Sequence, residues 1–472
     1  MKNGISKLVD QMMESWYTLL RNSRKMKEVI MSKYKVFSMF DGVGGFVVGL
    51  NAANKSLGKD IFEVTDTNQF EPSRKSQDAF EVGVYNYPEI IHSNEDIMIA
   101  SEKYFSDMKS KGVNMIVGGF PCQDYSVARS KKHEKGIEGK KGVLFWEIIR
   151  AVKQIQPDYL ILENVDRLLK SPSKQRGRDF AIMLGAFNQL GYIVEWRVIN
   201  AADYGASQRR RRVFFFIYKT DSEFATNHVI ADNTAESFEQ YIFEQGLFAS
   251  QFPIEKEANK KRIYSNHLSE EDVHSDEYIV DISNNFTGQV WNTGIMKDGF
   301  YYTVDTIPKY EKAKTLGEVV EEAKQYYIEQ FGEKAYEEYI DQYIIKDEEK
   351  IKKFQYLRGP KKIERTSSEG FKYTFSEGGM SETDDLSLPG RTMLTSEGSV
   401  NRSTHFLKHG DGFRLLTPIE AELLQDFPCD WTKYKSLSDG TVVEVADRMR
   451  YFFMGNALVT SIVKRIALGI EN

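Results

Sequence analysis

Residues 114–123, Asn-Met-Ile-Val-Gly-Gly-Phe-Pro-Cys-Gln, decide how this chain is read. Asn114-Met115-Ile116-Val117 is a short apolar run ending in glycines, the pattern of a buried strand. Gly118 and Gly119 close it, so Cys122 falls on a tight loop at the strand's carboxyl end. In open α/β sheets that edge is where ligands bind. The chain has only one other cysteine, Cys429, so neither a disulfide framework nor a zinc cluster is expected. Cys122 then has two readings. It is a small buried hydrophobe, or it is a nucleophile that attacks as thiolate.

Composition sets the bounds. At 472 residues there is room for two domains with real cores. No run of eighteen apolar residues exists, so no membrane span is expected. The first residues lack a basic-then-apolar secretory pattern. Two cysteines in so long a chain suit a reducing compartment. The net charge of −6 does not advertise nucleic-acid binding, yet a local basic face can coexist with acid elsewhere. Before residue 34, Leu8-Val9, Met12-Met13, Trp16-Tyr17 and Leu19-Leu20 recur at helical spacing and predict an amphipathic packing arm.

Outward from the cysteine loop, strands and helices alternate. Lys35 to Phe40 reads as the first strand, and Asp41-Gly42-Val43-Gly44-Gly45 turns into a helix. Such a turn lets backbone approach a ligand and aims free N–H groups at negative charge, although it departs from G-x-G-x-x-G. A second strand near Ile61–Val64 leads to Gln69-Phe70-Glu71, where a polar side chain beside an aromatic suits a ribose diol and a stacked purine; a solvated loop fits the same residues. Asp96, after a further edge segment, can accept from an exocyclic amine. Past Cys122, Tyr125 to Gly142 is rich in Lys, Gly and Ser. It reads as a lid whose lysines, Lys131 among them, suit phosphates, or as a solvated loop.

Pro157 to Leu162 is the next buried strand, and Glu163-Asn164-Val165 follows at the carboxyl edge. Burial there would raise the pKa of Glu163 and fit it to act as an acid; a core hydrogen bond is the plainer alternative. A helix and the strand Tyr192–Ile199 lead to Gln208-Arg209-Arg210-Arg211-Arg212, which runs directly into the strand Val213–Tyr218. Period two puts Gln208, Arg210 and Arg212 on one side, Arg209 and Arg211 on the other. From Thr220 to His405 the alternation is lost, and a separate inserted domain is expected. It carries an acidic helical stretch, Glu318–Glu349, and basic pieces around Lys352–Lys362 and Arg391–Thr404. The α/β texture returns with Thr417 as N-cap and Pro418 at the first helical position, and ends with Gly455-Asn456-Ala457 and a helix.

Six motifs in order now make a resemblance. Phe40-Asp41-Gly42-Val43-Gly44-Gly45, Gly119-Phe120-Pro121-Cys122-Gln123, Glu163-Asn164-Val165, Gln208–Arg212, Arg414-Leu415-Leu416-Thr417-Pro418 and Gly455-Asn456 together resemble bacterial-type DNA (cytosine-5)-methyltransferases. The resemblance implies an α/β fold: a Rossmann-like S-adenosylmethionine-dependent methyltransferase sheet with an inserted, irregular mixed target-recognition domain. Its expected divisions are a helical extension at 1–34, a catalytic and cofactor domain at 35–219, target recognition at 220–405, and a return to the catalytic domain at 406–472. It also implies that Cys122 attacks C6 of a flipped cytosine. Glu163 would protonate N3, Arg212 bind O2, Arg210 hold the site and Asn164 fix the loop. For S-adenosyl-L-methionine it implies contacts from Phe40, Gly42, Gly44, Gln69, Phe70, Asp96, Ile97, Pro121, Leu144, Asn456 and Ala457. For double-stranded DNA it implies Gln123, Ser126, Lys131, Arg209, Arg391, Thr392 and Arg402. No metal is implied. Gln69 stands where the family often has glutamate, so Gln69 and Glu71 both remain candidates for the ribose. Ala457 replaces a frequent serine.

The family further implies a monomer in a bacterial or phage-encoded cytoplasmic setting, paired with a cognate restriction endonuclease. A tRNA cytosine-5 methyltransferase of the same fold is the nearest alternative, and the large insert argues against it. An idle DNA-binding relative would not need Cys122, Glu163 and Arg212 together. A nicotinamide-dependent dehydrogenase leaves the cysteine and the arginine run without a shared purpose.

Overall fold

The computed structural model describes residues 33–120, 144–255, 262–366 and 370–471. Five strands, β1 (Tyr34–Met39), β2 (Phe62–Asn68), β3 (Ile91–Ser93), β4 (Met115–Gly119) and β5 (Tyr159–Val165), run parallel in the order β3-β2-β1-β4-β5. Helices α1 (Gly45–Leu57), α2 (Asp78–Asn86), α3 (Glu102–Ser110) and α4 (Leu144–Ile155) lie between them in the chain. The apolar runs predicted as strands are buried on both faces. Phe37, Ile116 and Leu160 join one core, while Val36, Val117 and Ile161 join the other. The strand order reverses between β1 and β4, which opens a crevice at their carboxyl ends. Those ends converge closely: a Cβ on Gly118 would sit 2.6 Å from the Met39 carbonyl oxygen, so only glycine fits.

After α5 (Arg178–Gln189) the topology changes hand. β6 (Tyr192–Asn200) lies beyond β7 (Arg211–Lys219), and β7 runs back between β5 and β6, antiparallel to both. Its amino end therefore reaches the edge where the parallel strands have their carboxyl ends. Arg212 pairs with Val165, and Phe214 with Glu163.

The stretch read as separate from Thr220 onward differs in its first part. β8 (Ile263–His267), β9 (Thr293–Lys297) and β10 (Phe300–Val304) continue the same sheet, in the order β6-β9-β10-β8, to ten strands. The helix α6 (Glu277–Asn285) buries Tyr278 and Ile282 in the same core as Phe180 and Met183 of α5. Strand–helix alternation fails here because β9 and β10 form an antiparallel hairpin. Its turn, Asp298-Gly299, has φ of 51° and 76°.

Three helices follow: α7 (Leu316–Phe331), α8 (Glu333–Asp341) and α9 (Glu348–Arg358). The acidic stretch is indeed helical. Thr315 and Glu318 form a capping box, and Leu316, Val319 and Ala323 face the core. Next comes a two-stranded ribbon, β11 (Lys361–Thr366) with β12 (Lys372–Glu377), each pairing only with the other. The C-terminal part supplies α10 (Pro418–Leu423), α11 (Asp447–Asn456) and α12 (Thr460–Ile470). Thr417 caps α10 through a capping box with Glu420, with Pro418 in the first turn as expected. Asp447–Ile470 is long and apolar enough, by composition, to cross a membrane, but 67% of its most apolar window is buried. It is broken into α11 and α12, and Val463 of α12 lies over Gly49 of α1. That is the behaviour of core helices.

Candidate active site

The carboxyl edge of β5 and the amino end of β7 bring the predicted catalytic pair together. Arg212 Nε lies 2.8 Å from Glu163 Oε1, both side chains largely buried. Burial pushes the Glu163 carboxyl above its usual range, and Arg212 and then Arg210 pull it back. A Cβ on Gly119 would stand 3.2 Å from Glu163 Oε2, so the second glycine of β4 leaves room for this carboxylate. Asn164 points the other way. Its Nδ2 donates to the Phe120 carbonyl at 2.8 Å, and its Oδ1 accepts from the Val165 N–H. It thus fixes the last described residue before the cysteine loop. Cys122 itself, with Pro121, Gln123, Ser126 and Lys131, lies outside the described residues, as does the N-terminal helix. Cys429 is a half-buried core thiol pushed up to about 12 by burial.

The alternation read along the arginine run is present. Gln208 and Arg210 are buried, Arg212 is half-buried, and Arg209 and Arg211 are exposed. Arg210 is a tether: Nη1 donates to the Met393 carbonyl at 3.2 Å and Nη2 to the Gly455 carbonyl at 3.0 Å. Burial, and then the nearby Arg212, push its guanidinium down to about 9. Gln208 donates to the Leu424 carbonyl and accepts from the Met393 N–H. Gly455 is required here, because a Cβ would come within 2.3 Å of the Thr395 nitrogen.

Along the other half of the edge, Phe40 follows β1 at φ 55°, and Gly42 and Gly44 come after it at 62° and 84°. Gly42 N–H donates to Gln69 Oε1 at 2.8 Å, which ties the turn to the end of β2. Phe70 is half-buried beside Gln69. Glu71 lines a small recess with Gln69, Arg74 and Phe452. Asp96 accepts from the Met98 N–H, and buried Ile97 gives its carbonyl to Arg150 Nη2 at 2.5 Å. Leu144 opens α4, and exposed Asn456 and half-buried Ala457 close α11. Arg150, on α4, pins the Asp96 loop through both Ile97 and Ala100. Nothing in its local sequence marks that role.

Two of the arginines read as DNA contacts, Arg391 and Arg402, have other partners. Arg391 lies 2.5 Å from Asp384 and donates to the Thr404 carbonyl. Arg402 donates to the carbonyls of Leu357 and Gly378 and pairs with Glu377 at 3.1 Å. Thr392 Oγ1 donates to the Arg209 carbonyl at 2.5 Å, and Gly390 bridges Gln208. Residues 390–393 are thus a rung joining the later part of the chain to the segment that carries Gln208 to Arg212. Arg209 makes no side-chain bond among the described residues and remains available to a ligand.

A parallel sheet with its crevice at β1 and β4, continued by an antiparallel β7, is the fold of S-adenosylmethionine-dependent methyltransferases. The Dnmt2 methyltransferase of S. pombe matches it with a TM-score of 0.51 over 93% of this chain and 98% of that one, at 13% identity. Sequence narrows the class. Residues 34–472 match the family described as C-5 cytosine-specific DNA methylase, and the chain belongs to that family: it is a DNA cytosine-5-methyltransferase. It is 52% identical over 441 residues to the Type II methyltransferase M.Sau3AI of Staphylococcus aureus, covering 93% of this chain and 96% of that protein. It is 30% identical over 238 residues to the Type II methyltransferase M.NlaIV of Neisseria lactamica, about half of each chain (49% and 51%).

Proposed function

We propose that the protein methylates cytosine C5 within a defined sequence of double-stranded DNA, on a flipped base, through a covalent Cys122–C6 adduct. The observation that carries this reading is the buried Glu163–Arg212 pair beside the Phe120 carbonyl that Asn164 holds. Cytosine C5 is a poor nucleophile. Addition of the Cys122 thiolate to C6 pushes electron density toward N3 and C5. Glu163, its protonated form favoured by burial, gives a proton to N3, while Arg212 hydrogen-bonds O2 and orients the carboxylate. C5 then attacks the methyl donor. Loss of the C5 proton and β-elimination restore the C5–C6 double bond and release the Cys122 thiolate, and the N3 proton returns to Glu163. The base is reached by extrusion from the duplex.

When bound, S-adenosyl-L-methionine supplies a sulfonium-activated methyl group. The residues fit it: among the described residues, no atom outside Gly42 and its chain neighbours lies within 4 Å of where a Gly42 Cβ would stand, so the turn leaves a cradle beside Phe40. Phe40, Gly42, Gly44, Phe70, Asp96, Ile97, Leu144, Asn456 and Ala457 would hold it, with Pro121 implied by the family resemblance. Gln69 Oε1 is already engaged by Gly42, which leaves its amide N–H and the Glu71 carboxylate for the ribose hydroxyls. The likeness to type II enzymes supports a modification role, as a monomer in a bacterial or phage-encoded cytoplasmic setting, opposite a cognate endonuclease.

The test is a covalent trap. Duplex DNA of random sequence carrying 5-fluorocytosine is incubated with the protein and S-adenosylmethionine, with Cys122→Ser as control. Fluorine at C5 blocks elimination, so a denaturation-resistant complex lost in the control is expected. Trapping on tRNA instead of duplex, or none at all, overturns the reading.

A further inference from the structure

The ribbon β11–β12 stands apart from both cores. An isolated two-stranded ribbon is marginal in water, yet this one is exposed along most of its length. Its register sorts the side chains. Lys361, Ile363 and Arg365 lie opposite Glu377, Phe375 and Tyr373 on one face; Lys362, Glu364 and Thr366 lie opposite Ser376, Thr374 and Lys372 on the other. The first face supports itself: Arg365 stacks 3.9 Å over Phe375, and Lys361 pairs with Glu377 at 3.2 Å. The second face has six polar side chains, all exposed. Lys362, Glu364 and Lys372 make no ion pair or side-chain hydrogen bond among the described residues.

The root of the ribbon is fixed as firmly as its blades are bare. Arg402 ties the Gly378 end to the Leu357 end. Arg358, 1% exposed, pairs with Asp384 at 2.6 Å, and Arg391 grips the same carboxylate. The arginine pairs hold Asp384 well below the usual carboxylate range. Residues 350–380 carry eight lysines and arginines against three glutamates, in a chain whose net charge is −6. A rigidly rooted, locally basic ribbon with one wholly polar face fits a polyanion with a groove. The major groove of B-DNA admits a two-stranded β-ribbon and presents donor and acceptor patterns to it.

Resting on the function proposed above, we propose that the Lys362–Glu364–Thr366 and Lys372–Thr374–Ser376 face of β11–β12 enters the major groove and reads bases flanking the target cytosine. The lysines would donate to guanine O6 and N7, and Glu364 would accept from cytosine N4. The hydroxyls serve either partner. Arg402, Arg358 and Arg391 are positioning residues that set the ribbon's angle.

The experiment compares wild type, Lys362→Ala/Lys372→Ala and Glu364→Gln on a duplex pool randomised around cytosine, with methylated sites read by sequencing. Thermal unfolding and S-adenosylmethionine binding serve as controls and should be unchanged, since these exposed side chains make no ion pair or side-chain hydrogen bond among the described residues. A fall of about 10- to 100-fold in preference for the best site over its single-base variants is expected, confined to one or two positions. Unchanged preference overturns the proposal. So does a uniform loss on all sequences, which would make the lysines phosphate contacts only. A wild-type protein that marks no duplex overturns the proposed function and this inference together; a marked duplex with unaltered variants overturns this inference alone.

Discussion

Glu163 and Arg212 sit on neighbouring antiparallel strands, so their 2.8 Å contact is set by sheet register rather than by a flexible loop. Glu163→Gln keeps the volume but removes the charge that Arg212 faces and the proton that the proposed mechanism delivers to N3. Methyl transfer should fall about 10²- to 10⁴-fold, with S-adenosylmethionine affinity, read by calorimetry, unchanged. Glu195 offers a separate test by pH. It is buried, accepts from the Leu247 and Phe248 N–H groups, and burial pushes it up to about 7. The folded state therefore binds this proton more tightly than the unfolded chain. Its contribution is full below the ordinary carboxyl range and is lost as pH rises to about 7, a difference of about 3 kcal/mol. Urea unfolding at pH 5 and pH 8 should show that slope, and Glu195→Gln should flatten it. At this scale the sequence was readable wherever a period exposed it. The strand period sorted Gln208, Arg210 and Arg212 from Arg209 and Arg211. It was unreadable where partners are far apart in the chain: Arg402 looks like a free basic residue until Glu377 and Gly378 close on it.

Among elements, the parallel strands β1, β4 and β5 were legible because each is an apolar run ending in a polar or glycine signal; β3, Ile91-His92-Ser93, carries no such run. The reversal of β7 was not legible, since a strand's direction leaves no mark on its composition. The β9–β10 hairpin did leave one, Asp298-Gly299 between apolar runs, but the surrounding loss of alternation masked it. Packing of α1 on α12 depends on a single absent side chain. A Cβ on Gly49 would lie 2.5 Å from Val463 Cβ and 2.8 Å from the Thr460 carbonyl. Gly49→Ala should therefore lever α1 outward, costing about 1–3 kcal/mol in chemical unfolding. Because α1 begins at the Gly44 turn, S-adenosylmethionine affinity should weaken with it.

For the whole molecule, charge is unevenly distributed: acid on α7 and α8, base on α9 and the ribbon. Binding to non-specific duplex should still be salt-dependent despite the net −6. Replacing exposed Lys352 and Lys353 by Ala should lower the slope of log K against log salt by about 2, measured by anisotropy across salt concentrations. The return of the chain to the core of the sheet domain after residue 405 was foreseeable from the α/β texture at Arg414, although it supplies helices such as α12 and no strand of the sheet. That residues 263–304 would extend the sheet was not, because strand partners declare themselves only in three dimensions. Lys33 and Tyr34 both reach Glu471, at 3.0 and 2.8 Å. The path from residue 33 to residue 471 is nearly a closed ring, so the linear order of its motifs is a convention of where the ring is cut. A short splice between those two positions, with a new opening at the exposed Gly440 turn, would leave every strand with its neighbours.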